Sequence, residues 1–239
     1  MSVRGVPLAA LALALATAAA GGQVPGPWRA AVPAGWTVLD SAMGDLDGDG
    51  SDDAVLVLEA ATPVRRVAEG GMCAGELTVT PRRLLVLRRD PAGFVPVAVT
   101  DRLVPPQDDV DVPCREDPYR EGGGVTIARG ALRVALRFWT SAGSWGVSGV
   151  TFILRLEAGR MRLIGTEAWD FMRNSGARRE ASTNFLTGRR TRTTGLNEFE
   201  PAAARPVVAW SRLARRAPLY LEDLRPECEP GMAPGSWCD

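Results

Sequence analysis

Five aspartates lie within nine consecutive positions of this chain, in the segment G-D-L-D-G-D-G-S-D-D at residues 44–53. Ca²⁺ takes about six to eight hard oxygen ligands, which alternating carboxylates supply, and the glycine at loop position 6, Gly50, permits the sharp turn. The donors would stand at loop positions 1, 3, 5, 7 and 9: Asp45, Asp47, Asp49, the carbonyl of Ser51, and Asp53. Because so many like charges repel each other without a cation, we predict a Ca²⁺ site. The alternative is an acidic turn without an ion, since aspartate and glycine favour turns in any case.

The residues after this loop decide which kind of calcium loop it is. An EF-hand needs a bidentate acid at loop position 12, but that position is Leu56, inside the apolar run 54–58. The pattern D-x-D-x-D-G-x-x-D leading directly into a strand instead resembles the calcium loop of FG-GAP repeats, known from integrin-type β-propellers. The resemblance implies a Ca²⁺ held by the five donors in a hairpin. No second such loop occurs, and residues 108–111 lack the glycine, so we do not expect a full propeller.

Apolar and β-branched runs predict the strands that surround this loop. They cover residues 36–39, 53–58, 77–80, 84–87, 94–99, 125–128, 131–139, 150–157 and 160–166. Turns at 129–130 and 158–159 join the last four runs into two hairpins. We therefore predict an all-β domain, mainly antiparallel, built as a sandwich or an open barrel. Residues 203–217 form the one stretch with a helical pattern, which Pro206 and the two valines after it weaken.

One loop between the predicted strands offers candidate ligand-binding residues. Trp139 and Trp145 bracket a Ser/Gly-rich segment that contains Ser141 and Ser144. Exposed tryptophan faces stack on sugar rings or peptide, and serine hydroxyls can orient a polar ligand. The alternative is that Trp139 ends a core strand and Trp145 plugs the sandwich.

A second loop is predicted at residues 171–180, and it is polar and rich in arginine. Arg173, Arg178 and Arg179 could bind an anionic group such as a wall polymer, because arginine forks match carboxylate and phosphate geometry. As an isolated run of charge, the same segment could simply be a solvated loop.

Two absences restrict the chemistry of this chain. It contains no histidine and no lysine, so it cannot build Ser-His-Asp or Cys-His machinery, histidine-ligated metal sites or lysine Schiff bases. Paired carboxylates of the glycosidase type remain possible. Four acids lie near the predicted sheet edges, but their spacing does not distinguish them from surface acids: Glu157, Glu167, Asp170 and Glu180. We therefore predict no catalytic residue.

The N-terminus predicts export. Residues 1–20 combine one arginine, an apolar segment and small residues in A-x-A spacing, as in a secretory signal peptide, and no later segment is long enough to span a membrane. We expect a Pro/Gly-rich linker at 21–35, one β-rich domain at 36–225 and a cysteine-containing tail at 226–239. The 28 basic and 28 acidic residues balance, which argues against nucleic acid as a partner.

The four cysteines of the chain predict two disulfides, because exported proteins meet an oxidising compartment. Three pairings are possible. The close spacing of Cys228 and Cys238 in a Pro/Gly-rich segment favours a local bridge, which would leave Cys73 to pair with Cys114.

Most of residues 36–195 resemble a loosely characterised group of exported bacterial proteins. The matching features are the single aspartate loop at 44–53, Cys114 with Asp117-Pro118, the segment 141–145, and N-F-L-T-G at 184–188. That group implies an architecture and no activity. We therefore expect a secreted or periplasmic module, stabilised by Ca²⁺, that binds a cell-envelope glycan or protein or has a structural role there. The alternative is a carboxylate-dependent glycan hydrolase that uses no histidine.

Overall fold

The computed structural model describes residues 26–214 and 217–226 of the 239-residue chain. These residues contain thirteen strands, two single-turn 3-10 helices at Arg29–Ala31 and Leu221–Asp223, and no α-helix. The strands are β1 (Trp36–Gly44), β2 (Asp53–Ala60), β3 (Val64–Ala68), β4 (Gly75–Val79), β5 (Arg82–Asp90), β6 (Gly93–Thr100), β7 (Gly124–Ala128), β8 (Ala131–Trp139), β9 (Gly146–Glu157), β10 (Arg160–Met172), β11 (Ala177–Asn184), β12 (Arg189–Asn197) and β13 (Val207–Arg212). All of their pairings are antiparallel, which confirms the predicted all-β class.

The first sheet has four strands in the order β1-β2-β5-β6. Its centre is the apolar run 54–58 of β2, in which every residue is fully buried, as expected for a strand that is covered on both faces. Val55 and Val57 point toward the second sheet. Ala54, Leu56 and Leu58 point to the other face and pack against Trp28, which belongs to the segment before β1.

The second sheet is a seven-stranded meander in chain order from β7 to β13. Two of its turns carry positive φ at both central residues, Arg129 (54°) with Gly130 (70°) and Ala158 (49°) with Gly159 (78°). These values are typical of type I′ turns, whose twist matches that of paired strands. Both predicted hairpins are therefore confirmed.

The core lies between the two sheets. Val57, Leu84 and Val86 of the first sheet face Leu132 and Phe152 of the second, and all five side chains are fully buried. The molecule is thus a two-layer sandwich, within the predicted alternatives, and the described strands form no closed barrel. Strands β12 and β13 contribute no buried apolar side chain among the described residues. This indicates that the second sheet extends beyond the first on that side.

Two predictions of local structure were wrong. Residues 203–217, the stretch with a helical pattern, contain strand β13 instead of a helix. The β-branched pair after Pro206 favours this extended backbone. The predicted loop at 171–180 is mostly strand: β10 continues to Met172, β11 begins at Ala177, and a short turn joins them. The sequence hid β11, since the two side chains that this strand buries, Ala181 and Thr183, give too weak an apolar alternation to mark it.

A disulfide joins two loops of the sandwich. Cys73 lies in the β3–β4 hairpin turn and Cys114 lies before β7, and they form the predicted bridge with 5.3 Å between their Cα atoms. Cys228, Cys238 and the predicted signal peptide at 1–20 lie outside the described residues. In the described part of the chain, no helix has the length and apolar character needed to cross a bilayer.

Candidate metal centre and ligand groove

The aspartate loop (residues 45–53) connects β1 to β2 within the first sheet. Gly44, the last residue of β1, pairs directly with Asp53, the first residue of β2, so the loop closes a hairpin. Gly48 and Gly50 adopt left-handed backbone with φ of 84° and 85°, which side chains disfavour. The glycines therefore allow the chain to turn tightly with its carboxylates at alternate positions.

Backbone hydrogen bonds order three carboxylates of this loop, those of the half-buried Asp45 and the exposed Asp47 and Asp49. Asp45 accepts the N–H of Gly48 at 2.7 Å and the N–H of Gly50 at 2.9 Å, one at each oxygen. These bonds lower the pKa of Asp45 below its usual value. Asp47 and Asp49 each accept the N–H two residues further on, as in Asx turns.

One oxygen from each of Asp45, Asp47 and Asp49 lies within 4.8 Å of the others. Three convergent carboxylates of this kind could hold a metal ion, and such ligands suit Mg²⁺, Mn²⁺ and Ca²⁺ better than soft metals. The structure thus brings together three of the five predicted donors.

Asp53, the fourth predicted carboxylate ligand, has a different environment. It is fully buried, and its two oxygens accept the N–H of Leu46 at 2.9 Å and the N–H of Arg89, on β5, at 2.7 Å. Burial raises its pKa, against the effect of these hydrogen bonds. Asp53 therefore ties the loop to the neighbouring strand, and its role as a ligand, like that of the Ser51 carbonyl, stays a prediction.

A groove of about 750 Å³ lies where the second sheet extends past the core. Four of its lining residues are consecutive cross-strand partners on β8, β9, β10 and β11: Phe138, Ser148, Asp170 and Arg179. Cross-strand partners share a face, and the next row on this side includes the buried core residues Leu136 and Val150. The inner face of the sheet therefore forms the floor of the groove.

We call residues 109–115 the wall segment, because four of them also line the groove: Asp109, Asp111, Val112 and Arg115. Arg115 pairs with Asp109 at 3.2 Å, so the wall carries one ion pair, as the floor does with Arg179 and Asp170 at 2.8 Å. The wall is fixed near Cys114, through the disulfide and through the N–H of Ser141, which donates to the Cys114 carbonyl at 2.9 Å.

Three buried polar atoms of the lining residues have no hydrogen-bond partner among the described residues: Arg115 Nε, Trp139 Nε1 and Thr140 Oγ1. Buried donors and acceptors in folded proteins are nearly always satisfied by protein, water or ligand. Each of these atoms has almost no exposed surface, so a ligand in the open groove cannot reach it unless the lining rearranges.

The predicted ligand-binding residues separate into two roles. Trp139 and Ser144 line the groove. Trp145 is next to it and 60% exposed, which contradicts the alternative that it plugs the sandwich. The hydroxyl of Ser141 donates to the Cys114 carbonyl at 3.2 Å, so Ser141 fixes the wall segment.

Arg173 stabilises this tryptophan loop. Its guanidinium lies 5.2 Å from the ring centroid of Trp139 and 5.9 Å from that of Trp145. Nη2 of Arg173 also donates to the carbonyls of Thr140 at 2.8 Å and Ser144 at 2.7 Å. The three arginines of the predicted anion-binding loop are thus dispersed, because Arg178 and Arg179 lie on β11 in salt bridges with acids.

The acids considered for carboxylate catalysis all pair with arginine. The salt bridges join Glu157 to Arg155 and Arg162, Glu167 to Arg133, Asp170 to Arg179, and Glu180 to Arg178. Hydrogen bonds from Arg155 and Arg162 also lower the pKa of Glu157. A general acid needs a raised pKa, so the environment of Glu157 is the opposite of what a glycosidase acid requires.

Sequence reasoning missed a buried charged cluster at one end of the core. The side chain of Arg82 has no exposed surface and pairs with Glu59 at 2.9 Å and with Asp117 at 2.6 Å. Tyr119 donates its hydroxyl to Asp40 at 2.6 Å beside this cluster. The sequence offered one signal, the position of Arg82 just before the apolar run 84–87 of β5. A charged side chain next to buried positions requires a partner of opposite charge.

These features define the class of the molecule: an antiparallel β-sandwich with an aspartate loop on one hairpin and a polar, aromatic-lined groove beside its core. No protein-family model, no curated protein and no solved structure matches this chain. The FG-GAP resemblance and the resemblance to exported bacterial proteins therefore stay predictions from sequence.

Proposed function

We propose that this chain is an exported, Ca²⁺-stabilised module that binds a cell-envelope glycan in the groove between the sheet floor and the wall segment. One observation carries the proposal: the floor sets an aromatic side chain, Phe138, in one row with the hydroxyl of Ser148 and the ion pair of Asp170 and Arg179.

The chemistry of this row matches the chemistry of sugars. Each sugar hydroxyl both donates and accepts hydrogen bonds, and a carboxylate beside a guanidinium offers both functions within one ion pair. The apolar faces of sugar rings pack on aromatic side chains, which Phe138 and Trp139 supply.

We assign the aspartate loop to Ca²⁺ and to a structural role. The three carboxylates of Asp45, Asp47 and Asp49 supply hard oxygen donors, and Ca²⁺ accepts more ligands at longer distances than Mg²⁺ does. Asp53 and the Ser51 carbonyl would extend the ligand set, as in the FG-GAP loop that the sequence resembles. The ion would hold the β1–β2 hairpin closed against the repulsion of its own charges.

The proposed location is the periplasm or the cell exterior. The Cys73–Cys114 disulfide supports it, since disulfides persist in oxidising compartments, and the predicted signal peptide at 1–20 supplies the route. Among the two functions predicted from sequence, the pairing of all four candidate acids with arginine favours binding over hydrolysis.

Calorimetric titration with two soluble oligosaccharides of equal length, one of N-acetylated amino sugars and one of glucose, tests this proposal. The double variant Asp170→Asn/Arg179→Gln removes the floor ion pair without leaving one charge alone. The matched control is Arg133→Gln/Glu167→Gln, which removes an ion pair between β8 and β10 outside the groove lining.

We expect at least one oligosaccharide to bind, the floor variant to bind it about tenfold or more weakly, and the control to bind as the wild type does, because two charge-assisted hydrogen bonds are lost only at the floor. Absence of binding for both sugars, or equal weakening in both double variants, would reject the groove as a glycan site. Release of reducing ends during the titration would instead support the hydrolase.

A further inference from the structure

Strand β13 forms one outer edge of the seven-stranded sheet, and among the described residues it pairs with β12 alone. All six of its residues are exposed. Three of them are large and apolar: Val207 (62% exposed), Val208 (52%) and Trp210 (63%). A strand that orders six residues without burying any of them gains no hydrophobic stabilisation from its own fold.

This edge also lacks the features by which proteins protect exposed edges. Natural edge strands are usually short or carry lysine, internal proline or a bulge. β13 has no lysine, no internal proline and no register shift against β12, and its one charge is Arg212, at the end. No described residue pairs with its outer row of backbone N–H and C=O groups, so this row can pair with another strand.

We propose that two copies of this chain associate through β13, antiparallel, about a two-fold axis at Ala209. Two residues that lie directly opposite each other on neighbouring strands point to the same face of the sheet. Because the faces alternate along a strand, a two-fold axis that relates two identical antiparallel strands must pass through one residue and not between two residues. Centring on Ala209 places Val208 of each copy opposite Trp210 of the other. The two seven-stranded sheets then continue as one.

This register is self-complementary in packing. Opposed aromatic and β-branched side chains are among the stabilising cross-strand pairs, and here symmetry produces that pair twice on one face. Trp210 is already held by Arg189, whose guanidinium lies 4.8 Å from its ring centroid. On the other face Ala209 meets its own copy, which keeps the strand backbones close.

The charges agree with the same register. In this register Arg212 of each copy lies opposite Pro206 of the other copy, outside the Val208–Trp210 pairs. No two arginines therefore lie opposite each other. Centring on Trp210 would instead set Arg212 against Val208 and lose the apolar pair. The 28 basic and 28 acidic residues balance, so copies carry no net charge that keeps them apart.

Cysteine cross-linking and sedimentation velocity test this interface. Both use the protein that a host cell produces from the full sequence, after any processing by that cell. Opposed Cα atoms in antiparallel pairs lie about 4.5 to 5.5 Å apart, a distance that disulfides span. Ala209→Cys should therefore form a covalent dimer under mild oxidation. Ser211→Cys, equally exposed on the same strand, should not, because its opposed residue is Val207.

Sedimentation velocity over a range of about 1 to 500 µM should show a concentration-dependent dimer, as mass action requires. Val208→Lys should shift the dissociation constant upward by at least tenfold, whereas Val67→Lys, at an exposed valine on β3, should leave it unchanged. A wild type that is monomeric throughout this range overturns the proposal, as does a dimer that Val208→Lys leaves intact.

Discussion

Arg82 and Asp117 meet in a bidentate salt bridge, although 35 residues separate them in the sequence. Nη1 and Nη2 of Arg82 each donate to a different oxygen of Asp117, both at 2.6 Å. The remaining donors reach Glu59 at 3.0 and 2.9 Å and the carbonyl of Pro105 at 3.1 Å, so all five N–H groups of the guanidinium are satisfied. The pair thus fixes the segment before β7 against the first sheet.

We expect Arg82→Met to destabilise the protein by about 3 to 5 kcal/mol, because the buried Asp117 loses its bidentate partner and the half-buried Glu59 keeps only the exposed Arg120. Urea unfolding followed by tryptophan fluorescence measures the change. The neighbouring Arg83→Met is the control, since Arg83 pairs with the exposed Asp101 and should cost about 1 kcal/mol. Equal losses in both variants would contradict a special role for the buried pair.

Acid should weaken this cluster in a defined direction. Burial alone would raise the pKa of Asp117, but hydrogen bonds from Arg82 and from the N–H groups of Tyr119 and Arg120 outweigh it and lower the pKa below 3.8. A carboxyl group whose pKa is lower in the folded state than in the unfolded state stabilises the fold fully at pH values above its unfolded pKa. This stabilisation is lost as the pH falls through its folded pKa. We therefore expect Asp117→Asn to be less stable at neutral pH and to lose less stability between about pH 4 and 2.

Urea unfolding at a series of pH values measures this difference in slope. Asp101→Asn, at the exposed partner of Arg83, serves as the control and should keep the acid sensitivity of the wild type. An Asp117→Asn variant with the same acid slope as the wild type would show that other groups control acid unfolding.

Ca²⁺ should raise the melting temperature of the chelated protein, because it relieves the repulsion among the three loop carboxylates. Asp47→Asn removes one member of the triad and should abolish most of that rise. Asp52→Asn removes an exposed acid of the same loop that lies outside the triad, and it should keep the rise. Thermal unfolding and calorimetric titration with and without Ca²⁺ report the effect. Identical behaviour of the two variants would reduce the loop to an acidic turn.

Removing the disulfide should destabilise the fold and loosen the groove. Cys73 and Cys114 close a loop with a sequence separation of 41 residues. Chain-entropy arguments assign a loop of that size about 4 kcal/mol, and natural losses range from about 2 to 5 kcal/mol. The double variant Cys73→Ala/Cys114→Ala should show this loss in urea unfolding. The wall segment is fixed at Cys114, so oligosaccharide binding should weaken under conditions where the variant is still folded. A folded variant with unchanged binding would separate the wall segment from the ligand site.

The sequence by itself determined the local features of this protein. The buried strand at 54–58, the two type I′ hairpins and the turn chemistry of the aspartate loop follow from residue types at short spacing. Nearest-neighbour sterics and hydrogen bonds set such features whatever the rest of the chain does. The spacing of the other two cysteines favoured the Cys73–Cys114 pairing among three possible ones, and the structure shows this bridge.

The tertiary structure decided everything that depends on distant partners. Arg178 and Arg179 looked like part of a charged loop, because the only side chains that β11 buries, Ala181 and Thr183, give too weak an apolar alternation to mark a strand. The sequence predicted Asp53 as a metal ligand, but only the approach of β5 shows that its carboxylate also accepts the N–H of Arg89. Arg82 and Asp117 could not be matched from sequence, since their contact exists only after the first sheet and the segment before β7 meet. The groove has the same origin: its floor row takes one residue from each of four strands, and only sheet register sets Phe138, Ser148, Asp170 and Arg179 side by side.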